Sequence, residues 1–429
     1  MEEFLHFFSF TDPTVRIVTF GTVFLGLSSS VVGVFAFLQK RSLLGDAISH
    51  SILPGVALAY LFTQSKNPLI LIIGALISGW LSILAVERIN SKTKLSADTA
   101  IALVLSSFYG LGVVFLTYIQ HTGSGNQAGL DQFLLGRAAS LTQRDLYIYI
   151  SLAAVLLAGV FLFYKEWKLI AFNEDFARVS GLPVKRLKFA LNTITVLAIA
   201  VGIQSVGVVL MAALLITPAA AARAWTDKLS KLILIAAAVG ALAGLTGSYV
   251  SYTEPNMPTG PWIVMCLSVL ALGSLFLAPK NGALGKMLRQ RENRRKIISE
   301  NVLKVFFHLE EKGEKGTIYS REDINALRDF KEDELKEALK ILRKNYWVIP
   351  KEKGFQLSSK GRDEAMRVVR FHRLWELYLI KRMGMKEDHI HPNAETMEHI
   401  ITPEIEAELL AELDYPETDP HHSPIPYKK

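Results

Sequence analysis

Residues 270–280 read Leu270-Ala271-Leu272-Gly273-Ser274-Leu275-Phe276-Leu277-Ala278-Pro279-Lys280, and the stretch 281–296 then supplies Lys286, Arg289, Arg291, Arg294, Arg295 and Lys296. An apolar run that ends in a basic cluster marks the point where a chain leaves a bilayer on its positive side. The composition divides at the same place. Residues 1–280 hold 19 Lys/Arg and 13 Asp/Glu, whereas residues 281–429 hold 28 and 27. The first part is too apolar for a water-facing surface, and the second is charged like one. The mean hydropathy of +0.28 therefore averages two unlike domains. Of the formal charge of +7, six units fall before residue 281 and one after it. That excess reflects membrane topology and does not indicate nucleic acid. A hydrophobic content of 50% and a single cysteine, Cys266, inside an apolar run exclude a disordered chain and a secreted disulfide scaffold.

About 20 apolar residues cross the hydrocarbon core. Runs of that kind fall near 14–38, 44–63, 67–87, 97–120, 146–164, 187–204, 205–224, 232–252 and 260–278, giving eight or nine transmembrane helices. The last two before residue 225 are separated only by Gly202-Ile203-Gln204-Ser205 as a turn. Lys40/Arg41, Arg88/Lys92/Lys94, Lys165 through Lys188, Arg223/Lys228/Lys231 and the run after Lys280 all fall on one side of such a bundle. Lys66, Arg137 and Arg144 fall on the other. Nine spans put the N-terminus outside and the C-terminal domain in the cytoplasm. The first span is too long for a removable signal peptide, and acidic Glu2 and Glu3 precede it.

Two features inside this half carry chemistry. Asp46 and His50 stand four residues apart in Gly45-Asp46-Ala47-Ile48-Ser49-His50-Ser51-Ile52-Leu53-Pro54-Gly55, on one helix face. An ionisable pair within a membrane span is costly and marks a functional site. Carboxylate with imidazole suits Mn²⁺, Fe²⁺ or Zn²⁺. The plainer alternative is an interfacial pair near Arg41. Two ligands are too few for a metal, but a two-fold dimer supplies four. Asp98 reads equally well as a helix cap. The second feature is Phe172-Asn173-Glu174-Asp175-Phe176-Ala177-Arg178-Val179-Ser180-Gly181-Leu182-Pro183, which opens with a capping Asn and closes with Gly and Pro. It reads as a short cytoplasmic helix.

With these residues in view, the membrane half resembles the permease subunits of the zinc/manganese/iron ABC importer family. The resemblance rests on Arg41 through Gly55, Asp98-Thr99-Ala100-Ile101, Glu174 through Gly181, Gly202 through Arg223 with Thr217-Pro218-Ala219, and Pro258-Thr259-Gly260-Pro261. It implies that Asp46 and His50 touch the metal in transit. It also implies that Phe172, Glu174, Ala177 and Gly181 belong to a coupling helix that docks on a cytoplasmic ABC ATPase. An extracytoplasmic metal-binding protein and a homo- or heterodimer of permease subunits are further implied partners. The chain has no Gly-x-x-x-x-Gly-Lys-Ser/Thr loop to cradle phosphates, so ATP hydrolysis needs a partner subunit.

Beyond a basic linker at 281–296, residues 297–366 carry a winged-helix pattern. Ile298, Val302, Val305, Phe306 and Leu309 recur at helical spacing, and Ser320 caps a second helix with Asp323 three residues on. Leu335, Ala338, Leu339 and Leu342 stripe a third helix at Lys331–Asn345, and a hairpin turns at Lys353-Gly354. Residues 367–429 form a helical segment rich in metal-ligand types: His372 and Glu376, then His391, Glu395, Glu398 and His399. A zinc hydrolase is disfavoured because His-Glu-x-x-His is absent.

Residues 297–429 resemble the diphtheria-toxin-repressor class of metal-dependent regulators, through the winged helix, Phe371-His372-Arg373-Leu374-Trp375-Glu376, Glu398-His399 and Asp419-Pro420-His421-His422-Ser423-Pro424-Ile425-Pro426. The resemblance implies one metal site at His372, Glu376 and His391 and a second at Glu395, Glu398 and His399. Asn301 stands where the class has an acidic or thioether ligand, so the second site departs from the pattern. The recognition helix opens Lys331-Glu332-Asp333-Glu334, and acids there disfavour DNA as a partner. The sequence thus points to an all-α polytopic bundle followed by a cytoplasmic winged-helix and helical metal-binding/dimerisation domain, in a bacterial cytoplasmic membrane. The expected function is a divalent-metal permease with a metal-sensing module. The competing reading is a membrane-tethered or released transcriptional regulator, and an intramembrane enzyme lacks any nucleophile–base constellation.

Overall fold

Long apolar helices with polar caps build the first part of the chain. The computed structural model describes residues 2–39, 43–65, 67–121, 141–254, 258–385 and 403–427. It divides into two compact units, Met1–Lys286 and Met287–Lys429.

The first unit contains α1 (Glu2–Ser9), α2 (Pro13–Leu38), α3 (Leu44–Ser51), α4 (Leu53–Thr63), α5 (Pro68–Lys92), α6 (Ala97–His121) and α7 (Gln143–Leu162). It continues with α8 (Tyr164–Phe172), α9 (Glu174–Val179), α10 (Val184–Val206), α11 (Val208–Trp225), α12 (Leu229–Thr253) and α13 (Thr259–Leu277). Among the described residues, eight helical spans are long and apolar enough to cross a membrane, α3 and α4 together making one, and α11 is a shorter apolar helix. Local chemistry sets their ends. Asp12 accepts from the Thr14 N–H at 2.7 Å with Pro13 in the first turn of α2, and Thr142 and Asp145 close a capping box on α7. Asp98 does not cap α6; it lies in the first turn, and the Ser96 hydroxyl accepts from the Thr99 N–H instead.

The core is organised around α2, which packs against α7, α11 and α12. Close approach there depends on Gly33, where a Cβ would fall 1.6 Å from the Leu215 carbonyl oxygen. Pro218 interrupts α11 and has no N–H to give to the Leu214 carbonyl. The Ser30 hydroxyl of α2 reaches that carbonyl at 3.3 Å, so a neighbouring helix satisfies the group the proline leaves over. Pro54 opens α4 in the same way, and Ser78 of α5 donates to the Ser51 carbonyl at 2.6 Å beside the break.

One boundary differs from the sequence reading. The break between α10 and α11 lies at Gly207, not within Gly202–Ser205. Gly207 has φ +81°, a conformation open to glycine, whereas Gly202 stays helical and abuts Met211. Hydropathy is continuous through both places, so only backbone geometry separates them.

The second unit contains α14 (Ala283–Lys312, its first residues belonging to the first unit), α15 (Arg321–Leu327), α16 (Glu332–Lys344), strands β1 (Val348–Lys351) and β2 (Gly354–Leu357), α17 (Ser359–Lys381) and α18 (Pro403–Glu412). The helix, helix, helix, hairpin order is that of a winged helix. Ser320 and Asp323 form a reciprocal capping box on α15. Leu335, Ala338, Leu339 and Leu342 are all buried against Val302, Phe306 and Ile324. The hairpin pairs Val348 with Leu357 and Lys351 with Gly354, which puts its turn at Glu352-Lys353, one residue earlier than the sequence suggested. On the far side, Leu374 and Leu377 of α17 pack with Leu413 and Ile425 of the C-terminal tail.

Candidate functional site

Three places hold the residues singled out in the sequence. The first is α3. Its Ala47 face is buried in a cluster with Val86 of α5 and Ala100, Ile101 and Val104 of α6. Asp46 and His50 lie beside this packing and stay partly open, with side chains 45% and 25% exposed. His50 Nε2 lies 3.5 Å from Asp46 Oδ1, and Tyr109 meets the imidazole edge-on with centroids 5.0 Å apart. His50 Nδ1 is buried without a hydrogen-bond partner among the described residues. One nitrogen is thus directed at the carboxylate and the other has no such assignment. Among the described residues, no third His, Cys, Asp or Glu completes a metal-holding group here. The pair offers two ligands on an open face, which a second copy could complement.

The second place is α9. The Asn173 side chain accepts from the Phe176 N–H at 2.9 Å and starts the helix. It ends as a glycine-terminated turn: Gly181 has φ +82° and the Leu182 N–H reaches the Ala177 carbonyl. Glu174 accepts from Lys188 of α10 at 2.5 Å and from Arg178 at 3.1 Å. Of the residues the resemblance assigns to coupling, Phe172 is exposed, Glu174 is ion-paired with Lys188 of α10, Ala177 is fully buried, and Gly181 shapes the exit. Phe176 and Val179, not singled out from sequence, project apolar surface into solvent, Val179 at 87% exposure. An exposed valine and two exposed phenylalanines around a short, well-capped helix form a patch suited to a protein partner.

The third place is a cavity of about 490 Å³ in the second unit. His372 and Glu376 stand one turn apart on α17, both buried, with Nε2 to Oε1 at 3.1 Å. Asn301 and Lys304 of α14 line the same cavity, as do Asp419 and His421 of the tail. Asp419 and His421 were noted only as part of a closing motif; they lie over forty residues from Glu376 in sequence, and no local spacing could have joined them to it. His391, Glu395, Glu398 and His399 lie outside the described residues, as do Lys40, Arg41, Lys66 and Arg137.

The tail is tied down by ions. Arg373 donates to both oxygens of Glu311, and to the Pro424 carbonyl at 2.5 Å, and it lies 3.5 Å from Asp419. Burial alone would raise the Glu311 carboxyl, but the His308 hydrogen bond and then the Arg373 guanidinium outweigh it and hold it at about 2. A carboxyl depressed on folding stabilises the fold above its ordinary value of 4.5, and the contribution disappears as pH falls from there toward 2. Glu311→Gln should therefore lower the thermal midpoint of this unit at pH 7 and flatten its decline between pH 5 and 3. Melts followed by near-ultraviolet circular dichroism check this; equal slopes for both proteins would refute it.

On α16, the exposed acids are partly spoken for: Arg294 donates to Glu334 at 2.6 Å and Arg295 lies 2.7 Å from Glu337. Two arginines of the basic linker, part of α14, are thus paired with carboxylates of α16.

Eight helical spans long and apolar enough to cross a bilayer, among the described residues, define a multi-pass membrane protein. A model of the ABC 3 transport family matches residues 11–278, and the chain belongs to that family. A second model, the iron dependent repressor metal-binding and dimerisation domain, matches residues 358–427. The manganese transport system membrane protein MntC of Bacillus subtilis (strain 168) is 39% identical over 374 residues, 87% of this chain and 86% of that protein. The zinc transport system membrane protein TroC of Treponema pallidum (strain Nichols) is 43% identical over 282 residues, 66% of this chain and 95% of that protein. PsaBC from Streptococcus pneumoniae, solved in complex with Fab, superposes with a TM-score of 0.59 at 29% identity over 67% of this chain and 99% of its own. The chain is a multi-pass membrane protein with a repressor-like C-terminal domain.

Proposed function

We propose that this chain is the membrane subunit of an ATP-driven importer for Mn²⁺, Zn²⁺ or Fe²⁺. The observation that carries the reading is the Asp46–His50 pair on an open face of α3, in a chain of the ABC 3 transport family. The names of the manganese and zinc relatives support the metal class. Two copies would place two carboxylates and two imidazoles along the path, a donor set suited to a divalent first-row ion. A hard aquo-cation can exchange waters for these ligands and release them again, because two ligands per copy do not form a closed cage.

Force would enter through α9. A cytoplasmic ATPase subunit would seat Phe172, Phe176 and Val179, and the Glu174–Lys188 pair would carry its movement into α10. Phe176→Asp together with Val179→Asp is expected to weaken association with the ATPase at least about tenfold, since a desolvated charge replaces two apolar anchors. Co-purification from membranes tests this, with Gln143→Ala, far from α9 in sequence, as the control. Undiminished co-purification would sink the docking assignment.

The second unit would hold a regulatory metal at His372 and Glu376. Among the described residues His372 and Glu376 are two donors, short of a metal-holding group, and the buried Asn301 Oδ1, which has no hydrogen-bond partner among them, supports the reading as a further oxygen donor. A divalent ion there would supply charge and coordination that tie α14 to α17. The unit would then act on transport, through different metal affinities in its open and closed states. The carboxylates at the start of α16 support this over DNA recognition, because they would face phosphates. Sequence-specific, metal-dependent DNA binding by the purified protein in a gel-shift would reverse that ranking.

A further inference from the structure

We infer that the crevice between α5, α9 and α10 is a binding site for an anionic phospholipid of the cytoplasmic leaflet. The inference goes beyond metal import and needs only the membrane orientation of the bundle.

The crevice encloses about 510 Å³ and changes character along its length. On α5 it is lined by Trp80, Ile83, Leu84, Glu87, Asn90 and Ser91. Their spacing is one stripe of a helix, apolar first and polar as α5 nears its end at Lys92. The Phe189 ring of α10 meets Trp80 with centroids 4.1 Å apart. The Trp80 indole N–H donates to the Thr193 hydroxyl at 3.2 Å, so the ring forms apolar wall with its polar atom satisfied. A track leads in from the bilayer: Ile73, Ile77, Leu81 and Leu84 recur about one turn apart on α5, and all are exposed, as is Phe189. Exposed apolar side chains on a spanning helix face acyl chains, so a chain lying on this stripe brings its headgroup to the polar end.

Charge at that end favours a phosphate. Arg88, Lys92, Lys94, Lys185 and Arg186 put it on the positive, cytoplasmic side. Three cations line the crevice, Arg178, Lys185 and Lys188, against two carboxylates, Glu87 and Glu174. Arg178 and Lys188 are both paired with Glu174, and Asn192 donates to Glu87 at 3.4 Å. Lys185 makes no ion pair among the described residues, and it stands in the first turn of α10, which opens at Pro183 without a side-chain cap. The positive end of the helix dipole therefore adds to its ammonium. A free phosphate would use only this polar end, whereas a phospholipid also fills the apolar wall. A zwitterionic headgroup cancels its own phosphate charge, so the surplus cation selects an anionic one. A lipid seated here would lie against Arg178 of α9 and make the position of that helix sensitive to leaflet composition.

The test uses the full chain in dodecyl maltoside and native mass spectrometry, with palmitoyl-oleoyl phosphatidylglycerol and palmitoyl-oleoyl phosphatidylcholine added in equal amounts. The phosphatidylglycerol should be retained about fivefold over the phosphatidylcholine, the contribution of one lysine near an anionic headgroup. Lys185→Gln should bring the ratio to about one. Lys228→Gln, on the same side of the membrane but outside the crevice, should leave it unchanged. Equal retention of the two lipids would overturn the site, as would a preference that survives Lys185→Gln or that Lys228→Gln removes equally. Inorganic phosphate at the concentration of the lipid should not displace it; displacement would mean that the crevice takes a free anion, and the lipid assignment would fall. If Lys185→Gln does not give a monodisperse peak on size-exclusion chromatography, Lys185→Ala takes its place with the same criteria.

Discussion

Asp46→Ala is expected to cut divalent-metal uptake by about a hundredfold while leaving the protein folded. Replacing even an outer partner of a metal ligand costs about 10–100-fold, and losing a ligand itself costs no less. The fold should survive because nothing in the packing of α3 depends on this carboxylate. Ala47 and Ile48 anchor the helix, and Asp46 stays partly open. Its pairing with His50 at 3.5 Å, on a side chain 45% exposed, contributes about 0–1 kcal/mol, so its removal costs little stability. His50→Ala should act alike on uptake. Asp145 gives the contrast: buried in the Thr142 capping box, it is structural. Asp145→Ala should lower stability by about 1 kcal/mol and leave the uptake of surviving protein unchanged. Uptake of ⁵⁴Mn²⁺ or ⁶⁵Zn²⁺ by cells carrying each variant, normalised to protein in the membrane, separates the two acids. Equal uptake losses for Asp145→Ala and Asp46→Ala would remove the special status of the pair.

The largest effect on stability is expected at Gly33. A Cβ added there would stand 1.6 Å from the Leu215 carbonyl oxygen and 2.6 Å from its carbon. These are backbone atoms of α11, which no rotamer change can move aside. Relief would require α2 and α11 to separate by more than an ångström, and Ser30, one turn earlier on α2, would then lose the Leu214 carbonyl that Pro218 leaves over. Overpacking a tight interface costs about 1–3 kcal/mol, and the lost hydrogen bond adds to it. Gly33→Ala should therefore fail to give a monodisperse peak on size-exclusion chromatography in mild detergent. Gly273→Ala is the matched control, since an added Cβ there meets nothing within 4 Å. Identical behaviour of the two variants would mean that the α2–α11 contact is looser than described.

What could be read ahead of the structure depended on range. The spans, the Asn173 cap, the Ser320–Asp323 box and the stripe of Leu335, Ala338, Leu339 and Leu342 are local, set by residues within one or two turns of each other. The Asp46–His50 and His372–Glu376 pairs were legible for the same reason, because four residues along a helix fix both side chains on one face. What escaped was long-range or a matter of backbone angle. The Gly207 break is hidden in an unbroken apolar run. The Ser30–Leu214 bond joins residues 184 apart. Asp419 and His421 reach the cavity only because Arg373 and Glu311 fasten the tail to α17 and α14. Lys304, one turn after Asn301, reads as an ordinary surface lysine until its burial is seen.

The most direct test of the central claim is transport in a defined system. Proteoliposomes would hold the chain with its cytoplasmic ATPase, with the metal-delivering protein and ⁵⁴Mn²⁺ or ⁶⁵Zn²⁺ on the opposite face from ATP. Accumulation of label that requires ATP, and that falls to background with Asp46→Ala, is the predicted result. ATP-dependent accumulation that is undiminished by Asp46→Ala, or no movement of either metal by an assembled, ATP-hydrolysing complex, would contradict it.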